Sequence, residues 1–111
     1  MANDIRLLVY PVKDIAKAKN FFRKFLGTDP YVESDFYVGF KIGEHEIGLD
    51  PNSDSQGPIG YIDVQDIKTT LQELLEDGAE LVLDVKDVGQ GLLVAQVRDD
   101  NGNILGLRQA P

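Results

Sequence analysis

The stretch Glu46-Ile47-Gly48-Leu49-Asp50 sets two carboxylates on either side of a glycine, on one face of any extended segment that contains them. Asp63 and Asp84, from later in the chain, are candidate neighbours. Such acids form either the solvated face of an acidic protein or a negative lining that draws in a cationic ligand. A third use, Glu46 or Asp84 as a general base, requires a carboxylate pKa lifted toward neutrality by burial. Tyr37 and Tyr61 supply rings that stack on a planar group or a cation, or simply pack within strands. Lys41 and Arg108 can pair with these acids or hold an anionic ligand.

Other chemistries narrow quickly. The chain has one His and no Cys, so thiolate nucleophiles, disulfides and Cys-ligated zinc are excluded. That histidine, His45, falls at a strand end on the side shared with Ile47 and Leu49, where a surface or packing role is the expectation. Ser34, Ser53 and Ser55 fall in loops without a glycine elbow, which leaves hydroxyl nucleophiles unsupported. Gly89-Gln90-Gly91 is too short for a phosphate loop, and the neighbouring Asp87 repels phosphate. Gly48 and Gly106, inside strand patterns, are either room for a bulge or a neighbouring side chain, or floor space for a ligand against bare backbone.

The elements that position these residues occur twice. Val12-Lys13-Asp14-Ile15 returns as Val64-Gln65-Asp66-Ile67, each time after an apolar stretch and before a helical pattern. Ile15, Ala18, Phe22, Phe25 and Leu26 mark one helical stripe, and Ile67, Leu71, Leu74 and Leu75 another. Asp14 and Asp66 stand where an N-cap belongs, and Gly27 and Gly78 where the helices stop. Three strands are predicted after each helix: Tyr31–Val32, Phe36–Ile42 and His45–Asp50, then Glu80–Val88, Leu92–Arg98 and Asn103–Arg108. Period-2 alternation assigns Phe36, Val38, Phe40, Ile42, Ile47, Leu49, Leu81, Leu83, Val85, Leu93, Ala95, Val97, Leu105 and Leu107 to the helix-facing sides. The opposite sides mix apolar with polar residues, a composition shared by ligand cups and ordinary solvated faces. Pro51 to Pro58 is polar and aperiodic and reads as a linker. The expected fold is α+β, with one domain made of module 1 at about 4–50, a linker at about 51–58 and module 2 at about 59–109.

At 111 residues, 42% hydrophobic and 27% charged, the chain is long enough and apolar enough to bury a core, which excludes a disordered tail. Nineteen Asp and Glu against eleven Lys and Arg leave a net charge of −8, which repels phosphate backbones and anionic lipid. Nucleic acid and membrane are therefore not expected partners. With no long apolar run and no basic, apolar leader, a cytoplasmic location is expected.

The duplicated βαβββ pattern, with Val-x-Asp-Ile leading into a helix that carries Phe21-Phe22 and ends Leu26-Gly27, resembles the vicinal oxygen chelate superfamily. That superfamily includes glyoxalase I, extradiol dioxygenases, fosfomycin-resistance proteins and bleomycin-binding proteins. The stretch Arg98-Asp99-Asp100-Asn101-Gly102-Asn103-Ile104-Leu105-Gly106-Leu107 is similar to the family ending D-P-D-G-N-x-[IL]-E-[LF]. The resemblance implies a curved, cup-like mixed sheet with helices outside. It also implies a divalent metal held by four side chains, acting as a Lewis acid. Carried onto this chain, those positions fall on Leu7, Gly48, Ile59 and Gly106, none of which offers a donor.

The resulting expectation is a metal-independent glyoxalase/bleomycin-resistance-like protein with no cofactor. It would bind a small cationic or aromatic organic molecule in the cup and form a homodimer. Tyr37, Lys41, Glu46, Tyr61, Gln96 and Arg108 are the expected lining. The alternatives are a glyoxalase-like lyase or isomerase using Glu46 or Asp84 as general base, and a dimeric scaffold without a ligand.

Overall fold

Asp14 and Asp66 start the two helices. In the computed structural model, which describes residues 2–111, Asp14 accepts the Lys17 amide at 3.0 Å and opens α1 (Ile15–Leu26). Asp66 accepts the Thr69 amide at 3.2 Å and the Thr69 hydroxyl at 2.9 Å, and opens α2 (Ile67–Glu76). The Ile67 amide, another orphan donor, is taken up by the side-chain oxygen of Gln109 at 2.8 Å. Gly27 ends α1 at φ 74°, with its amide returning to the Arg23 carbonyl. At the end of α2 the C-cap is Asp77, and Gly78 follows at φ 106°.

Each half is a βαβββ module. The first runs β1 (Ile5–Pro11), α1, β2 (Val32–Glu33), β3 (Val38–Ile42) and β4 (His45–Asp50). The second runs β5 (Ile59–Asp63), α2, β6 (Glu80–Asp87), β7 (Leu93–Arg98) and β8 (Ile104–Gln109). Strand order is β2-β3-β4-β1 in the first and β5-β8-β7-β6 in the second. In both modules the first strand lies parallel to the last and the remaining pairs are antiparallel. The chain divides into two compact units: Arg6–Ile59, and Gly60–Pro111 together with the N-terminal residues through Ile5. The Pro-bounded segment predicted as a linker thus stays with the first unit.

Two core clusters cover the helix-facing sides. Val38, Phe40 and Leu49 pack under Ile15, Ala18, Phe22 and Leu26 of α1. Ile67 and Leu71 of α2 pack on Ala95, Val97 and Leu107. Phe40, Leu49 and Ala95 are wholly inaccessible to solvent, so the predicted alternation holds where the cores are tightest. Among the described residues no helix is long and apolar enough to cross a membrane.

Several strand boundaries differ from the sequence expectation, each for a local reason. The Ser34 amide donates to the Tyr37 carbonyl at 2.9 Å. That tight turn removes Phe36 and Tyr37 from β3 and moves β2 on by one residue at each end. The Leu92 amide closes onto the Gly89 carbonyl at 3.0 Å, which delays β7 to Leu93. Asn103 is bound to the Asp99 carboxylate through its own amide at 2.8 Å, which delays β8 to Ile104. In β6 the register against β7 slips twice, between Leu81 and Leu83 and between Leu83 and Lys86. Simple alternation therefore fails there: Leu81 stands opposite core-facing Val97, whereas Leu83 stands opposite Gln96 on the other side of β7.

Candidate functional site

Strand register builds the surface remote from α1 in rows. Lys41, Glu46 and Leu7 are lateral neighbours across β3, β4 and β1, and Gly39, Gly48 and Val9 form the next row. Predicted Tyr37, Lys41 and Glu46 therefore share one surface. Tyr37 is half-buried with its ring and hydroxyl over Gly48, so a β-carbon at that position would collide with the hydroxyl and ring edge. At Gly39 a β-carbon would lie 3.0 Å from both Tyr31 and Val32.

Tyr31, which sequence reasoning did not include in the lining, organises the charged row. Its hydroxyl donates to Glu46 Oε1 at 2.6 Å, and Lys41 Nζ lies 4.5 Å from its ring centroid. A ring carrying a cation on its face and a carboxylate at its hydroxyl combines a quadrupole contact with a charge-assisted hydrogen bond. The available signal was Gly39 itself: a strand glycine loses cross-strand packing, which a neighbouring aromatic restores.

The corresponding surface of the second unit follows the same plan with different chemistry. Tyr61, Gly106 and Gln96 form one row across β5, β8 and β7. The Tyr61 ring lies so close to Gly106 that no β-carbon fits there. Gln96 Nε2 donates to the Tyr61 hydroxyl at 2.7 Å. Tyr61 is only 8% exposed, so its ring is chiefly packing surface. In the next row Arg108 grips Asp63 through two nitrogens, Nε to Oδ1 at 2.7 Å and Nη2 to Oδ2 at 3.3 Å. Of the two readings open for Gly48 and Gly106, the room at each is taken by a neighbouring tyrosine.

Asp84 lies elsewhere. With β6 slipped in register, it borders a groove along α2 with Lys68, Leu71 and Gln72, whereas Tyr61 and Gln96 occupy the opposite side of the sheet. The expectation that Asp84 joins the ligand-facing carboxylates is therefore corrected, whereas Glu46 and Asp50 share the side of β4 that carries Gly48. His45 is exposed opposite Ile42 at the start of β4, on the α1 side with Ile47 and Leu49.

The donor set does not fit the divalent metal implied by the resemblance. Leu7, Gly48, Ile59 and Gly106 have no donor atom in their side chains, and Leu7 and Ile59 are buried. Among the described residues no three His, Cys, Asp or Glu side chains are grouped to hold a metal ion. The carboxylates whose pKa values are shifted lie in turns and caps. Asp99 is held below its ordinary value first by the Asn103 side-chain amide and then by the Asn103 backbone amide. Asp66 is lowered chiefly by the Thr69 amide and hydroxyl.

No curated protein matches the chain significantly. Among solved structures, a hypothetical protein from Bacillus halodurans is similar over 100% of this chain and 96% of its own, with TM-score 0.82 and 18% identity. A methylmalonyl-CoA epimerase of Streptomyces coelicolor, in complex with 2-nitronate-propionyl-CoA, is similar over 99% and 96% of the two chains, with TM-score 0.80 and 14% identity. A glyoxalase/bleomycin resistance protein/dioxygenase superfamily member from Vibrio splendidus covers 94% of this chain and 97% of its own, with TM-score 0.72 and 21% identity. At these identities the likeness establishes the fold and leaves the chemistry to this chain's own residues. The family's sequence model matches residues 5–107, and the chain belongs to the Glyoxalase/Bleomycin resistance protein/Dioxygenase superfamily.

Proposed function

We propose that this chain is a metal-independent small-molecule binding protein that takes up an organic cation on the Tyr31, Tyr37, Lys41 and Glu46 surface of its first module. The observation that carries the reading is the position of Lys41, whose ammonium lies over the Tyr31 ring while the Tyr31 hydroxyl holds Glu46. A cation already rests on that ring beside a carboxylate. A ligand ammonium or amidinium can take the place of Lys41 and gain the same ring face together with the Glu46 charge. Tyr37 adds a second ring edge over Gly48. The net charge of −8 favours cations at long range. The aliphatic and glycine residues at the family's ligand positions support a role without metal, in which the ligand is sequestered or carried.

The experiment is a thermal-shift titration with phenyltrimethylammonium, a cationic glycopeptide and neutral aromatic acids, beside Ni²⁺, Zn²⁺, Mn²⁺ and Fe²⁺ with and without EDTA. A ligand present at about a hundred times its Kd stabilises the native state by about 2.7 kcal/mol. The expected result is a shift with the organic cations that is lost in Tyr31→Ala and reduced in Glu46→Gln. A specific, EDTA-reversible stabilisation by metal overturns the reading in favour of metal chemistry. Silence toward every organic cation overturns it in favour of a scaffold.

A further inference from the structure

In the second unit the helix-facing side of the sheet is not fully covered. Val97 and Leu107 are enclosed in the core under α2, whereas Leu105, two residues before Leu107 on the same side of β8, is 45% exposed. Ile5, at the start of β1, is 52% exposed. These two side chains line a groove of about 570 Å³ at the C-terminal end of α2, together with Leu74 and the acids Asp77, Asp99 and Asp100. All of its lining belongs to the unit made of Gly60–Pro111 and the N-terminal residues through Ile5. A volume of this size lies within the range of small-molecule sites, about 300–1,000 Å³.

The charges along the groove have one sign. Among the described residues no Lys, Arg or His lines it, and no aromatic ring does. Arg98, next to Asp99 in sequence, is engaged by Glu80 at 2.8 Å. The last turn of α2 contains no basic residue, so the negative end of the helix dipole meets no cation from its own helix. Asp99 is committed to its turn: one oxygen accepts the Asn101 and Asn103 backbone amides and the other the Asn103 side chain. Asp77 and Asp100 are exposed, and neither has an ion pair among the described residues.

We propose that this groove is a separate binding site for an aliphatic amine, whose tail lies against Ile5, Leu74 and Leu105 while its ammonium meets Asp77 and Asp100 at the end of α2. Apolar shape and charge together select that class of ligand. The exposed apolar side chains favour any hydrophobic tail. A tail ending in a carboxylate or phosphate is repelled by the aspartates and by the helix end. A neutral tail gains nothing from the carboxylates. A quaternary ammonium has no N–H to donate to them and finds no ring face in the groove. An alkylammonium satisfies both parts of the site. The inference goes beyond the Tyr31–Glu46 reading and is independent of it, because the two surfaces share no residue and call for different cations.

Titration of the isotope-labelled full chain, followed through its amide chemical shifts by NMR, tests it. The probes are butyl-, hexyl- and octylammonium, with hexanol, hexanoate and phenyltrimethylammonium for comparison. Hexylammonium is expected to shift the amides of Asp77, Gly78, Asp100 and Leu105 saturably. Affinity should rise about two- to fourfold with each methylene from butyl to octyl, as partly to fully buried methylenes require. Asp77→Asn/Asp100→Asn is expected to weaken hexylammonium about three- to tenfold, the reach of two exposed charge contacts, and to leave hexanol unchanged. Leu105→Ser is expected to flatten the dependence on chain length, and the spectrum of each variant also reports whether it is folded. The proposal is overturned if hexylammonium moves no groove amide saturably, if hexanol or hexanoate binds as tightly, or if the folded aspartate variant binds hexylammonium as before. Hexylammonium shifts centred on the Tyr31–Glu46 surface overturn it too, while favouring the first reading. Phenyltrimethylammonium reports on that first reading alone, so the two can fail separately.

Discussion

The ring of Tyr61 occupies the space that a side chain at Gly106 would need, and it is anchored there by Gln96, which donates to its hydroxyl at 2.7 Å. The overlap involves ring carbons close to the root of the side chain, and Tyr61 is nearly buried, so the ring has little freedom to withdraw. Gly106→Ala is expected to destabilise the protein by about 1–3 kcal/mol, the range for overpacking a well-filled site. A double-mutant cycle checks the cause. In a Tyr61→Ala background the added methyl has space, so the cost of Gly106→Ala should shrink and the coupling energy should fall within about 0.5–3 kcal/mol. Additive costs would show that Gly106 is required for its backbone and not for the ring.

Gly48 poses the same question with a softer answer. There the obstruction is the hydroxyl end of Tyr37, a side chain that is half-buried where Tyr61 is nearly enclosed. Gly48→Ala is expected to cost less than Gly106→Ala, about 1 kcal/mol or below, and to alter the near-ultraviolet circular dichroism of tyrosine. Chemical denaturation of the two variants side by side decides the order. An equal or larger cost at Gly48 would mean that the Tyr37 ring is held as firmly as Tyr61.

What the sequence made legible follows from these contacts. The βαβββ repeat was readable because Asp14 and Asp66 cap helices with apolar stripes, although Phe25, assigned to the α1 stripe, lies outside the core at 71% exposure. Lys41 and Glu46 were readable together because β3 and β4 pair without a slip, and Tyr37, just before β3, joins them through its ring over Gly48. Asp84 was misplaced because the two register slips in β6 carry no glycine or proline to announce them. Tyr31 was missed because its role lies in reaching across β3 to Glu46, a contact fifteen residues distant in sequence. Gly48 and Gly106 were noticed but not explained, since alternation tells which side a residue faces and not what a neighbouring ring covers.

The carboxylates with lowered pKa values predict how stability responds to acid. Asp66 and Asp99 accept hydrogen bonds in the folded state that favour the charged form. Their contribution is complete above the ordinary carboxylate range and is lost as pH falls through their depressed folded values. Asp66→Asn and Asp99→Asn should each lower the urea midpoint at neutral pH and converge on the unaltered chain in acid, where the parent carboxyl is protonated too. A deficit that persists unchanged in acid would assign the effect to packing and not to charge.

Arg108 and Asp63 decide whether the second module can receive an anion. The Arg108 side chain is 14% exposed and its guanidinium meets Asp63 through two nitrogens, so an incoming carboxylate or phosphate must compete with a partner already in place. Asp63→Asn is expected to cost about 1 kcal/mol, toward the low end for a charged hydrogen bond because Asp63 is half exposed. It should also change ligand preference. At constant ionic strength, inorganic phosphate should leave the melting temperature of the unaltered chain where chloride leaves it and raise that of the variant, in which Arg108 no longer meets the Asp63 carboxylate. The comparison separates two uses of one residue. Equal responses to phosphate would mean that Arg108 is reachable despite Asp63, and would move the anion-binding role of the second module from suppressed to native.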